Sequence, residues 1–209
     1  MQIFWINIHQ FMTDPALFLS LFPHATNFCK DYVCFEDVVL HLIGNALCNY
    51  GKSLYPFVQC STLQYNISHS GYIAVCAIDN NPVGIDIEQI LSPTVDISPF
   101  FHTAEQIYLS QFSSENRDRE FYRLWTRKES LYKAQHLHDM NLLQLECMIT
   151  SSGNLQEHFD DWILEELPIC PEKYVAVLCH QKSDTPIVYN VSIDDLLQFI
   201  KNSEKPFQT

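Results

Sequence analysis

Apolar residues dominate 2–9 (QIFWINIH) and predict a strand. Thr13-Asp14-Pro15 is a polar turn, and a helix is expected over 16–22. Phe35-Glu36-Asp37 opens a second apolar helix over 38–48 that ends near Gly51, and Pro56 starts a loop. Residues 72–77 (YIAVCA) read as a buried strand. Asp79-Asn80-Asn81 is a turn signal, Pro82 follows, and 83–88 alternates as a second strand, so the two look like a hairpin. Helical periodicity returns over 104–113 and more strongly over 120–136. A short helix over 193–201, capped by Ser192, precedes a frayed tail.

The segment 174–179 (YVAVLC) repeats the pattern of 72–77, and each lies late in its half of the chain. Two related lobes would explain this; so would chance, because buried strands draw on few residue types.

Composition narrows the function classes. The 209 residues carry 12 Lys and Arg against 25 Asp and Glu, a net charge of -13. Such a surface repels nucleic-acid phosphates and anionic membranes, so neither is an expected partner. An anionic ligand needs a local cationic patch or a bound metal. The eight cysteines include no CxxC pair, which leaves a zinc site without support. The opening MQIFWINIHQF lacks a cationic export signal and no apolar run is long enough to span a bilayer. Reduced cysteines and a cytoplasmic location are therefore expected.

The strand Val83-Gly84-Ile85-Asp86-Ile87-Glu88 puts Gly84, Asp86 and Glu88 on one face. Asp86 and Glu88 would lie about 7 Å apart at Cα, close enough to converge on one hard cation such as Mg2+. A half-exposed strand with a solvated polar face is the plainer reading. Gly84 lacks a Cβ and so permits close approach to the backbone. In the helical stretch FYRLWTRKESLYKA, Trp125, Glu129 and Lys133 share one stripe. A surface Glu–Lys pair accounts for that spacing. Lys128, Glu129 and Lys133 are equally what a metal-bound diphosphate requires: a third carboxylate and two ammonium groups.

Together GIDIE at 84–88 and WTRKESLYK at 125–133 resemble the signature pair of the 4'-phosphopantetheinyl transferase superfamily. The length resembles its two-lobed, surfactin-type branch, and similarity runs over about 35–179. The resemblance implies an α+β fold of two pseudo-symmetric lobes, 1–95 and 96–209. Each lobe would be a small antiparallel sheet packed with helices, with the ligand in the cleft between them. It implies transfer of the 4'-phosphopantetheine arm of coenzyme A to a serine of an acyl or peptidyl carrier protein, by a monomer, in secondary metabolite biosynthesis.

Further landmarks carry the family's roles. Asn66-Ile67-Ser68-His69-Ser70 resembles a loop whose Ser68 and His69 would contact coenzyme A. Tyr50-Gly51-Lys52 resembles a segment lining the nucleotide pocket, with Ser53 where proline is usual. Phe100-Phe101-His102-Thr103-Ala104-Glu105 matches an element whose glutamate would be the base. Read without the resemblance, Glu105 is a first-turn acid favoured by the helix dipole. Asp86, Glu88 and Glu129 would hold Mg2+, and Lys52, Lys128 and Lys133 would bind coenzyme A. Basic residues for the 3'-phosphate are sparse in the N-terminal third, where Lys30 is a candidate; Ile97 and Phe100 are candidates for carrier contact. In the implied reaction the serine attacks the β-phosphorus in line and 3',5'-ADP leaves, with Glu105 or metal-bound water taking the proton. The competing expectations are another Mg-dependent phosphotransferase or pyrophosphohydrolase, and a non-catalytic carrier-binding relative.

Overall fold

Two strands, β3 (Ile73–Asp79) and β7 (Tyr174–His180), are buried at every position. A strand enclosed on both faces needs neighbours on both edges and a layer of side chains above and below. These are the two segments that echo one another in the sequence, and each is an interior strand of its own four-stranded sheet. The computed structural model describes residues 1–22, 35–55, 63–92, 101–136, 147–181 and 185–203. Lys30, Ile97 and Phe100 lie outside them. The chain divides into two compact units, Met1–Asn80 with Thr185–Thr209, and Asn81–Asp184.

In the first unit, β1 (Gln2–Asn7) leads through α1 (His9–Thr13) and α2 (Pro15–Leu21) to α3 (Phe35–Ser53). Asp14 caps α2 by accepting a hydrogen bond from the Leu17 N–H at 3.1 Å, with Pro15 in the first turn. Val39, Leu42, Ile43, Ala46 and Leu47 form the buried stripe of α3 and share a core with Phe4, Ile6, Cys76 and Ile78. The sheet runs β2-β3-β1-β8, with β2 (Gln64–Ser70) and β1 antiparallel to β3. Its last strand, β8 (Ile187–Asn190), joins β1 in parallel, which the long excursion through 81–184 permits. The first sheet is thus mixed. The final helix, α6 (Ile193–Asn202), is capped by Ser192 as its sequence predicts and buries Leu196 and Ile200.

The second unit contains β4 (Val83–Gln89), α4 (Thr103–Ser110), α5 (Ser114–Ala134), β5 (His158–Phe159), β6 (Trp162–Glu166) and β7. Its sheet runs β4-β7-β6-β5 and is antiparallel throughout. Phe121, Leu124 and Leu131 of α5 pack into a core with Val175, Val177 and Cys179 of β7.

The α+β class and the two small sheets packed with helices agree with expectation. The hairpin does not: β3 pairs with β1 and β2, whereas β4 pairs with β7. Both edges of β3 are already taken, so β4 finds its partner in the other sheet. The compact units also differ from a division at 95/96, because the chain leaves the first sheet at Asn80 and returns to it with β8. Residues 66–70 are strand β2, not a loop. No helix among the described residues is long and apolar enough to cross a membrane. The described cysteines Cys48, Cys76, Cys147, Cys170 and Cys179 form no disulfide.

Candidate active site

Gly84 sets how closely α5 lies on β4. A Cβ there would run into the Ser130 carbonyl oxygen, and would stand 2.6 Å from the Ala134 N and 3.0 Å from the Ala134 Cβ. Helix backbone therefore occupies the space of the missing side chain, on the strand face that also carries Asp86 and Glu88. With Ser130 and Ala134 seated on Gly84, the adjacent positions Glu129 and Lys133, one turn apart, are turned to Asp86.

There Lys133 Nζ donates to Asp86 Oδ1 at 2.6 Å; the Asp86 side chain is 4% exposed and that of Lys133 25%. Glu129 completes the group. Burial raises its carboxyl above the usual range, and the Asp86 charge raises it further, while Lys133 pulls it down. Glu88, half-buried, lies farther along the strand, where its charge helps burial to raise the Tyr122 phenol. Asp86 and Glu129 thus meet around Lys133, and Glu88 follows Asp86 on the same face of β4. Among the described residues no group of three His, Cys, Asp or Glu side chains stands ready to hold a metal. The donor chemistry nonetheless fits a hard cation: every donor is a carboxylate oxygen, and the crowding of Glu129 by Asp86 is what added positive charge relieves.

Lys128 and Glu105 form a separate, enclosed pair. Their charged atoms lie 3.1 Å apart and both side chains are 0% exposed. Glu105 Oε1 also accepts from the Met148 N–H at 2.8 Å, and Oε2 from the His102 N–H at 2.8 Å, closing the first turn of α4. This geometry bears on two expectations. Lys128 is one residue from Glu129 but points about 100° away around the helix, into the core, and does not present its ammonium to a solvent-borne phosphate. Glu105 has its oxygens engaged by three donors and is not poised to take a proton from a bound hydroxyl.

The remaining predicted residues belong to the first unit. Ser68 and His69 alternate on β2, so Ser68 is buried and His69 exposed, and a ligand against one strand face meets one of them. Lys52, in the last turn of α3, holds its Nζ 3.3 Å from the centre of the Tyr65 ring.

Within the second unit a further network had no signal in the motifs. Tyr108 donates to Glu120, Arg123 binds Glu120 and Glu166, and Arg127 binds Glu166 at 2.8 Å. Burial pushes the Tyr108 phenol up, reinforced by Glu120. Burial alone would raise Glu166, but Arg127 and Arg123 hold it below the usual carboxylate range. A cavity of about 620 Å³ opens beside this network, lined by Arg123, Asn154, Gln156 and His158 among others. Reading β5 and β6 from the sequence would have shown which side chains face Arg123 and Arg127.

Residues 82–179 match the profile of the 4'-phosphopantetheinyl transferase superfamily. The 4'-phosphopantetheinyl transferase gsp of Aneurinibacillus migulanus is 46% identical over 86 residues, covering 41% of this chain and 35% of that protein. The 4'-phosphopantetheinyl transferase Sfp of Bacillus subtilis strain 168 is 37% identical over 87 residues, covering 41% and 38%. The 4'-phosphopantetheinyl transferase psf-1 of Bacillus pumilus is 40% identical over 101 residues, covering 47% and 40%. The aligned part of this chain thus spans roughly two fifths of the length of each of these relatives, and the profile match takes in β4, α5 and every acidic residue of the group around Lys133. Through residues 82–179, this chain is similar to the 4'-phosphopantetheinyl transferase superfamily.

Proposed function

We propose that the protein transfers the 4'-phosphopantetheine arm of coenzyme A to a serine of an apo acyl or peptidyl carrier protein, releasing 3',5'-ADP. The observation that carries this reading is the meeting of Asp86, Glu129 and Lys133 where α5 lies against Gly84, inside the stretch shared with the transferases. A diphosphate ester needs positive charge at its oxygens and at the departing phosphate. Lys133 is the ammonium group placed to supply it. Asp86 and Glu129, with Glu88 from the same strand face, would hold Mg2+. Once bound, the cation neutralises diphosphate charge and stabilises the leaving phosphate.

The chain's own residues set the rest. The serine oxygen forms a bond to the β-phosphorus as the bond to the bridging oxygen breaks, and the electron pair leaves with ADP. With Glu105 enclosed, the hydroxyl proton goes to Glu129 or to water. Lys128 and Glu105 hold α4 to α5 and so keep Glu129 and Lys133 in register with Asp86. Lys52 and His69 are proposed coenzyme A contacts on the resemblance alone. The enzyme is taken to act as a cytoplasmic monomer on carriers of secondary metabolism.

The test is incubation with coenzyme A, Mg2+ and two unlike apo carriers, read by intact mass. A phosphopantetheine mass shift that disappears in Asp86→Ala, whose circular dichroism is unchanged, is expected. Nucleotide release with the carrier unmodified would instead indicate a pyrophosphohydrolase. Carrier binding with neither product would indicate a non-catalytic relative.

A further inference from the structure

We propose that Lys133 and the divalent cation exchange places at Asp86, so that metal binding turns the lysine away from the carboxylate and towards the diphosphate. This rests on the reading that Asp86 and Glu129 hold the metal.

Three observations on the second unit carry it. The ammonium of Lys133 is 2.6 Å from Asp86 Oδ1, a short charge-assisted hydrogen bond to the carboxylate a cation would claim. Mg2+ sits about 2.0–2.1 Å from its oxygen ligands. Two cations on one buried carboxylate repel each other, and the more weakly held one is the one displaced. Of the two lysines in the WTRKESLYK motif, Lys133 has a way out. Its side chain is 25% exposed and flexible, while Lys128 is 0% exposed and bound to Glu105. Finally, the group of Asp86, Glu129 and Lys133 already has one positive charge for two carboxylates. Replacing the ammonium by a divalent ion improves that balance and leaves the lysine available to a second anion. Binding is then ordered: the cation first, with the diphosphate meeting both the cation and the displaced ammonium.

The experiment uses the full chain and Mg2+ alone as the probe. Calorimetry compares the wild type with Lys133→Met, in which the competing ammonium is gone. The variant is expected to bind Mg2+ about tenfold more tightly, the scale of one hydrogen bond to a charged group. A lower field of repulsion alone could produce some of that gain, so a second readout follows the lysine itself. In pulse acylation with acetic anhydride, read by peptide mass spectrometry, Mg2+ is expected to increase Lys133 labelling several-fold in the wild type. Asp86→Asn is expected to show high labelling that ignores Mg2+. Equal Mg2+ affinity in the wild type and Lys133→Met, or wild-type labelling unmoved by Mg2+, overturns the exchange and leaves the metal site standing. No Mg2+ binding by either protein removes the metal site and the exchange together.

Discussion

Replacing Gly84 by alanine tests the packing on which the site depends. The added methyl would lie inside contact distance of the Ser130 carbonyl oxygen, 2.6 Å from the Ala134 N and 3.0 Å from the Ala134 Cβ. Carbon contacts are optimal at about 3.5–4.0 Å, so the surfaces must part by about 1 Å. The two nearest obstacles are helix backbone, which does not rotate away as a side chain would. The adjustment therefore falls on α5 as a body, and the helix carries Glu129 and Lys133 with it. Overpacking of this kind costs about 1–3 kcal/mol, to be read as a shift of the urea midpoint at constant m. A displacement of about 1 Å at a reacting centre lowers turnover by about 10²-fold, to be read in the carrier mass-shift assay. Adding Ala134→Gly to Gly84→Ala removes the 3.0 Å contact but neither backbone contact, so the double variant is expected to recover little. A Gly84→Ala protein with wild-type midpoint and turnover would refute the reasoning. Full rescue by Ala134→Gly would show that the side chain, and not the helix backbone, sets the approach.

Other consequences concern charge. Lys128→Met strands the Glu105 carboxylate in the core and is expected to cost about 3–5 kcal/mol in urea denaturation, with part regained in Lys128→Met/Glu105→Gln. Glu166 is held below its ordinary value by Arg127 and Arg123, so its pairing stabilises the fold at pH values above the unfolded carboxyl's, about 4.3, and that contribution is lost as pH falls through the lower folded value. Glu166→Gln should therefore flatten the acid limb of a stability-against-pH curve; parallel limbs would count against the assignment. Chelation with EDTA is expected to stop carrier modification and added Mg2+ to restore it, as intact mass would show.

The sequence was most readable where a local signal coincided with a packing demand. Strand alternation over 83–88 located β4 and put Gly84 on the face with Asp86, and the missing Cβ correctly marked a close approach. Ser192 announced a helix start by a side chain that does accept the expected backbone hydrogen bond, and the polar turn at Asp14 proves to cap a helix in the same way. Where pairing partners are distant in sequence, reading failed. Nothing local in 72–88 says that the first strand finds β1 and β2 while the second finds β7, and the turn residues between them fit a hairpin equally well. Short β5, β6 and β8 gave no usable period. The motif lysines differ for another reason. Lys128 and Lys133 look equivalent as cations near a glutamate, and it is Glu105, 23 residues upstream of Lys128, that draws the former into the core.

That distinction bears on how a protein of net charge -13 would handle an anionic substrate. Along α5, Arg123 and Arg127 are bound to Glu120 and Glu166, and Lys128 is bound to Glu105. These pairs tie the helix to its neighbours and lend little field to a ligand, because each cation is matched by an acid within hydrogen-bond distance. Lys133 is also paired, but its partner is a carboxylate that a divalent ion would claim. Under the proposed exchange, positive charge at the site would be conditional: the metal would add its own and make that of Lys133 available in the same step. An acidic surface is compatible with a diphosphate ligand under those terms, since within a Debye length the local ions outweigh the distant ones. It follows that salt should weaken coenzyme A binding less than expected for a basic surface patch, and that Lys133→Met should blunt the metal dependence of that binding. If calorimetry instead shows coenzyme A binding equally well with and without Mg2+, the charge at this site is not conditional.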